Sequence, residues 1–156
     1  MTHATQRRYK TPEEALAART EVQGDCLVWT GAKLKAGYGS IQVNGKRLRV
    51  HRYAWERERG AIPDGVFVDH LCHNRLCVAL PHLRLATPAE NLRNLSGPQA
   101  NNALGVRNVR LSRGQYRVEV MKDGVRYVEK YESLADAGRA AEALRQKLFG
   151  EFAGKG

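Results

Sequence analysis

VDHLCHNRLCVALPHLRLATPAEN, residues 68–91, places Asp69, His70, Cys72, Cys77, His82 and Asn91 within one short stretch. Val66–His70 is apolar enough to be a buried strand, and Leu83–Ala86 can return beside it. Thr87 followed by Pro88 and Glu90 is a helix start, which puts Asn91 in the first turns of a helix. The pattern is strand, pinned loop, strand, helix. Cys72 and Cys77 lie five apart with His82 five beyond, so two thiolates and an imidazole need one more thiolate, from Cys26, to make a closed Cys3His zinc site. His82 also admits a second reading, as a polar brace for the loop, but the cysteine spacing favours zinc. His73 is the competing imidazole, and its place beside Cys72 makes joint ligation awkward.

The rest of the 156-residue chain sets the context. Lys and Arg number 26 against 16 Asp and Glu, a net charge of +10, so a polyanion is the natural partner. The excess is shared: residues 1–95 hold 15 basic against 9 acidic side chains, and residues 96–156 hold 11 against 7. With 27% charged residues and no long apolar run, no membrane span is expected. Three cysteines are an odd set, and MTHATQRRYK has no apolar segment after its basic residues, so metal-bound or free thiols in a reducing cytosol are expected over disulfides.

Upstream, Thr11–Arg19 reads as a short capped helix, Cys26–Trp29 and Tyr38–Val43 as strands, and Arg47–His51 as a further strand after the turn signal Asn44-Gly45. A short helix is expected from Arg52 to Gly60.

Residues 24–95 resemble the HNH and His-Cys box nucleases, whose ββα-metal fold carries a base on the first strand and a metal-binding Asn on the helix. VDHLCHNRLC and PHLRLATPAEN are similar to phage and intron HNH homing endonucleases, with Asn94 where the final His of the motif would stand. The resemblance implies cleavage of double-stranded DNA. His70, a neutral imidazole near physiological pH, suits the general base. Asp69 and Asn91 are hard oxygen donors suited to one Mg2+ or Mn2+. His51 and Arg52 match a His-Arg pair common in these enzymes, with Arg52 a phosphate clamp and plain surface or capping roles as the alternative.

The second half reads as a meander, with Val106–Leu111, Gln115–Met121 and Val125–Tyr131 separated by Arg113-Gly114 and Asp123-Gly124. Ser133 to Gly150 then has helical spacing in Leu134, Ala137, Ala141, Leu144 and Leu148. Residues 101–153 resemble the ethylene-response-factor type of DNA-binding domain, whose sheet enters the major groove. That implies contacts from Arg107, Arg110, Arg113, Arg117, Glu119 and Arg126, since Arg reads guanine edges and Glu accepts from cytosine.

The expected fold class is α+β: a zinc-stapled ββα-metal domain over residues 1–95, a linker over 96–104, and a three-stranded antiparallel sheet packed on one helix over 105–153. The expected function is a site-specific, monomeric, phage-type homing endonuclease that nicks one strand in the infected host's cytoplasm and takes no small-molecule substrate. The alternative is a zinc-containing transcriptional or packaging-associated DNA-binding protein without hydrolysis, and a basic RNA-binding or structural module is a third.

Overall fold

The computed structural model describes residues 9–43 and 45–155; Asn44 of the expected turn and residues 1–8 lie outside them. It is a mixed α/β chain with four small antiparallel sheets, divided into two compact units, Met1–Ala86 and Thr87–Gly156. This division falls earlier than position 95, because the helix Pro88–Arg93 contacts the single turn Gly150–Phe152 within the second unit.

In the first unit, α1 (Pro12–Ala18) is capped by the Thr11 hydroxyl, which accepts from the Glu14 amide, and it buries Ala15 and Leu16. A strand the sequence did not suggest, β1 (Thr20–Gln23), pairs antiparallel with β2 (Cys26–Trp29). TEVQ alternates too weakly to stand out, and Val22 is left exposed in the hairpin. β3 (Ser40–Val43) pairs with β4 (Lys46–Arg49), and the chain then turns directly into α2 (Val50–Arg59). The expected strand Arg47–His51 is therefore corrected: it stops at Arg49, because Val50, His51 and Ala54 share a buried helix face. β5 (Phe67–His70) and β6 (Leu83–Ala86) form the hairpin around the cysteine loop, with Asp69 opposite Arg84 and His70 opposite Leu83.

Trp29 organises this unit's core, packing with Ala15, Leu16, Val50, Ala54 and Val78 while its indole N–H donates to the Ala32 carbonyl at 3.0 Å. The indole also lies flat against the backbone at Gly39, where a Cβ would sit 2.6 Å from Trp29 Cδ1. No side chain fits there without displacing the ring.

In the second unit, α3 (Pro88–Arg93) starts with a full Thr87/Glu90 capping box. β7 (Val109–Ser112), β8 (Gln115–Lys122) and β9 (Val125–Tyr131) form one antiparallel sheet with β8 in the middle. Both hairpin turns have two residues in the left-handed region, Arg113 with Gly114 and Asp123 with Gly124. α4 (Leu134–Phe149) lies on β8, burying Ala137 and Ala141 against Val109 and Val118. Small alanines allow that close approach.

Replacing Gly39 by Ala is expected to lower the unfolding free energy by about 1–3 kcal/mol through the clash with Trp29. The check is a urea titration, in which the midpoint falls while the steepness is kept.

Candidate active site and metal centre

The first unit gathers its cysteines through backbone bonds. The Trp29 amide donates to the Leu76 carbonyl and the Val78 amide to the Leu27 carbonyl, both at 2.8 Å, so β2 is stitched to the loop that leaves Cys77. Val28 bridges Cys77 in antiparallel fashion. Across the loop, the Leu71 amide donates to the His82 carbonyl at 2.9 Å. The result is one cluster of Cys26, Cys72, Cys77 and His82, whose ligand atoms all lie within 4.8 Å of one another.

His82 Nδ1 stands 3.5 Å from both Cys26 Sγ and Cys77 Sγ. Metal–sulfur and metal–nitrogen bonds of about 2.3 and 2.1 Å at a tetrahedral angle imply a sulfur–nitrogen separation of about 3.6 Å, so the donors fit a four-coordinate ion. His73 is not in the cluster; it sits in the left-handed region with its amide on the His70 carbonyl. Burial, and then the neighbouring thiols, push the Cys26 thiol up to about 12, and burial raises Cys72 as well. A cation bound by these thiols would have to displace their protons.

His70 ends β5 and is buried. Its Nε2 lies 3.1 Å from the Cys77 carbonyl oxygen, which can only accept, so Nε2 carries the proton and Nδ1 the lone pair. Burial lowers its affinity for a second proton, outweighing the opposing pull of that carbonyl and of Asp69. Asp69 is buried too: one carboxylate oxygen accepts from the His70 amide at 2.8 Å, the other from Arg84 Nε and Nη2 at 3.0 and 2.9 Å. Arg84 is a partner that the sequence reading missed. A lone charge in the apolar run LRLA, directly opposite Asp69 once the hairpin is drawn, was the available signal. A carboxylate offers about four lone-pair directions, so pairing with Arg84 is compatible with serving as an oxygen donor.

His51 occupies the buried face of α2, with its ring centroid 4.8 Å from that of His70 and 5.1 Å from that of Tyr38. Its Nδ1 has no hydrogen-bond partner among the described residues. Burial, with His70 adding to it, pushes its pKa down to about 3. The ring is thus held neutral and packs against that of His70. Arg52 is half-buried and lines an open basin of about 330 Å3 with Arg47, Arg49, Tyr53 and Glu56.

In the second unit, Asn91 is half-buried on α3 and Asn94 caps that helix. Arg110, Arg117, Glu119 and Arg126 share the sheet face turned away from Val109 and Val118, and all three guanidinium groups pair with the Glu119 carboxylate at 2.8, 3.0 and 3.4 Å. Arg113 is exposed at a hairpin tip. Arg107 departs from expectation. Its guanidinium donates to the carbonyls of Arg93 and Ala153 at 2.7 and 3.0 Å, with Leu95 and Lys155 slightly farther, so it buttresses the unit instead of facing a ligand.

Residues 48–93 match the family model described as HNH endonuclease. The chain is 34% identical over 110 residues to Protein 3.8 of Escherichia phage T7, covering 69% of this chain and 90% of that protein. It is 43% identical over 67 residues to Protein 7.7 of the same phage, covering 43% of this chain and 52% of the relative. An uncharacterized HNH endonuclease of Acanthamoeba polyphaga mimivirus is 34% identical over 121 residues, covering 76% of this chain and 62% of its own length. This chain thus spans between half and two thirds of those last two relatives. No solved structure gives a significant match. Among the described residues no helix is long and apolar enough to cross a membrane.

Because His51 releases its proton only near pH 3 in the folded chain but near 6.5 when unfolded, the unfolded state binds the extra proton as pH falls below 6.5. Stability attributable to His51 is full above that value and is lost towards pH 3, with a slope of up to about 1.4 kcal/mol per pH unit. Denaturant titrations of wild type and His51→Phe across pH 7 to 4 should diverge by that component, the wild type losing more.

Proposed function

The chain belongs to the HNH endonuclease family, and from that premise we propose that it is a metal-dependent DNA endonuclease with His70 as general base. The observation that carries this reading is the hydrogen bond between His70 Nε2 and the Cys77 carbonyl, which fixes the tautomer and keeps the lone pair on Nδ1. A buried imidazole that resists a second proton stays in its neutral form below the pH at which an ordinary histidine is half-protonated, though as a weaker base.

In the proposed reaction, His70 Nδ1 takes a proton from water. The water oxygen forms a bond to phosphorus while the bond to the 3′ oxygen breaks, and that oxygen leaves with the electron pair and takes up a proton from solvent. Asp69 and Asn91 are assigned as oxygen donors to one Mg2+ or Mn2+ on their order in the motif. Such an ion, when bound, supplies Lewis-acid stabilisation to the departing oxygen. His51 holds the His70 ring against Tyr38, and Arg84 holds the Asp69 carboxylate.

Zn2+ is assigned to Cys26, Cys72, Cys77 and His82, in a structural role. Three thiolates and an imidazole form a closed set with no position left open for substrate.

Recognition of a particular site is assigned to the second unit. Its outward sheet face carries Arg110, Arg117, Arg126 and Lys130 around Glu119, a cationic surface with one acceptor at its centre. On such a face Arg would act as donor to guanine and Glu as acceptor from cytosine. Division of cutting and site selection between the units is the arrangement of a homing-type enzyme. One base per chain favours nicking by a monomer.

His70→Ala should retain zinc and DNA binding while its rate of nicking supercoiled plasmid with Mg2+ falls by about 10²–10⁴. The wild-type rate should persist as pH falls through 6.5, since burial lowers the His70 pKa. A wild type that binds every DNA offered and cuts none would instead favour the non-catalytic DNA-binding reading. Separately, Cys77→Ser should lose zinc by elemental analysis and melt at a lower temperature, because structural zinc contributes directly to folding.

A further inference from the structure

Tyr38 sits in the loop between β2 and β3, half-buried, its ring centroid 6.1 Å from that of His70. Two guanidinium groups stand over this one ring: the central carbons of Arg49 and Arg75 each lie 5.4 Å from its centroid. Both side chains are exposed, and among the described residues neither pairs with a carboxylate.

Each cation is held from a different part of the chain. Arg49 is the last residue of β4, fixed where the Val50 amide donates to the Gly39 carbonyl at 3.1 Å. Arg75 belongs to the cysteine loop, and its Nη1 donates to the Ala36 carbonyl at 2.8 Å. The Tyr38 loop is itself closed, with the Leu34 amide on the Tyr38 carbonyl and the Gly37 amide on the Leu34 carbonyl, both at 2.8 Å.

Two like charges gathered at one ring repel each other, and the negative face of the ring offsets only part of that. What neutralises them fully is an anion that accepts from two guanidinium groups at once. A phosphodiester has two non-bridging oxygens suited to that task.

We infer that Arg49 and Arg75, oriented by Tyr38, clamp the non-bridging oxygens of the DNA phosphate on which His70 acts. The 6.1 Å between the Tyr38 and His70 ring centroids is the ground for taking this as the reacting phosphate. The part of the inference that concerns cleavage rests on the nuclease reading above, whereas the phosphate contact does not. Tyr38 is a positioning residue, acting through the ring face it offers.

The test uses the zinc-loaded full chain in two assays. The first is the salt dependence of binding to a short duplex of arbitrary sequence without Mg2+; the second is the nicking rate of supercoiled plasmid with Mg2+. Melting temperatures establish that each variant is folded. Arg49→Ala combined with Arg75→Ala should flatten the salt dependence by about one phosphate contact, a change of roughly 0.9 in the logarithmic slope. The nicking rate should fall by about 10²-fold, the scale for losing one preorganised donor to a transition-state oxyanion. Tyr38→Leu should reproduce both losses and Tyr38→Phe should restore both, because phenylalanine keeps the ring face.

An unchanged salt slope in the double variant overturns the inference, whether or not nicking falls, since arginines that only cover Tyr38 would alter stability and leave the slope alone. If the wild type never nicks DNA and the slope still drops in the double variant, the phosphate clamp stands while the nuclease reading fails.

Discussion

Cys77 is the residue on which the first unit turns. Its side chain is fully buried and supplies one sulfur of the metal cluster, while its carbonyl accepts from His70 Nε2. Its backbone is bridged to Val28, which brings Cys26 in from a strand about fifty residues upstream. The candidate metal cluster and the orientation of His70 thus meet in a single residue. Displacing the loop would disturb the tautomer and the ligand set together.

Electrostatics reinforces that arrangement. Burial lowers the proton affinity of His51 and His70, and among the unit's described residues the buried charge is the matched pair of Asp69 and Arg84. Two cations without acidic partners among the described residues, Arg49 and Arg75, are left exposed. The second unit follows a different rule. There one carboxylate, Glu119, holds three arginines on a flat sheet, so the guanidinium groups are ordered before any ligand arrives.

Much of this was legible in the sequence where a residue type does only one thing. Thiols at fixed spacing led to Cys26, Cys72, Cys77 and His82, and Thr87 with Glu90 led to the start of α3, because capping and ligation are local chemistry. What escaped depended on pairing across the fold. Arg84 became meaningful only through its place opposite Asp69, and the Cys77 carbonyl has no side-chain signature at all. The burial of His51 on α2, with its ring against that of His70, likewise has no signature in the pair His51-Arg52. Arg107 looked like a groove contact, yet its guanidinium is occupied by four backbone carbonyls, a use that spacing cannot reveal.

That last arginine has an evolutionary implication. Leu95 leads into the sheet and Lys155 follows it, and the two are joined by a backbone hydrogen bond of 2.8 Å beside the Arg107 guanidinium. A segment whose entry and exit meet can be spliced into a foreign loop, or exchanged between genes, without stretching the host chain. Between Leu95 and Lys155 the chain therefore makes a closed circuit, beginning and ending at one backbone hydrogen bond.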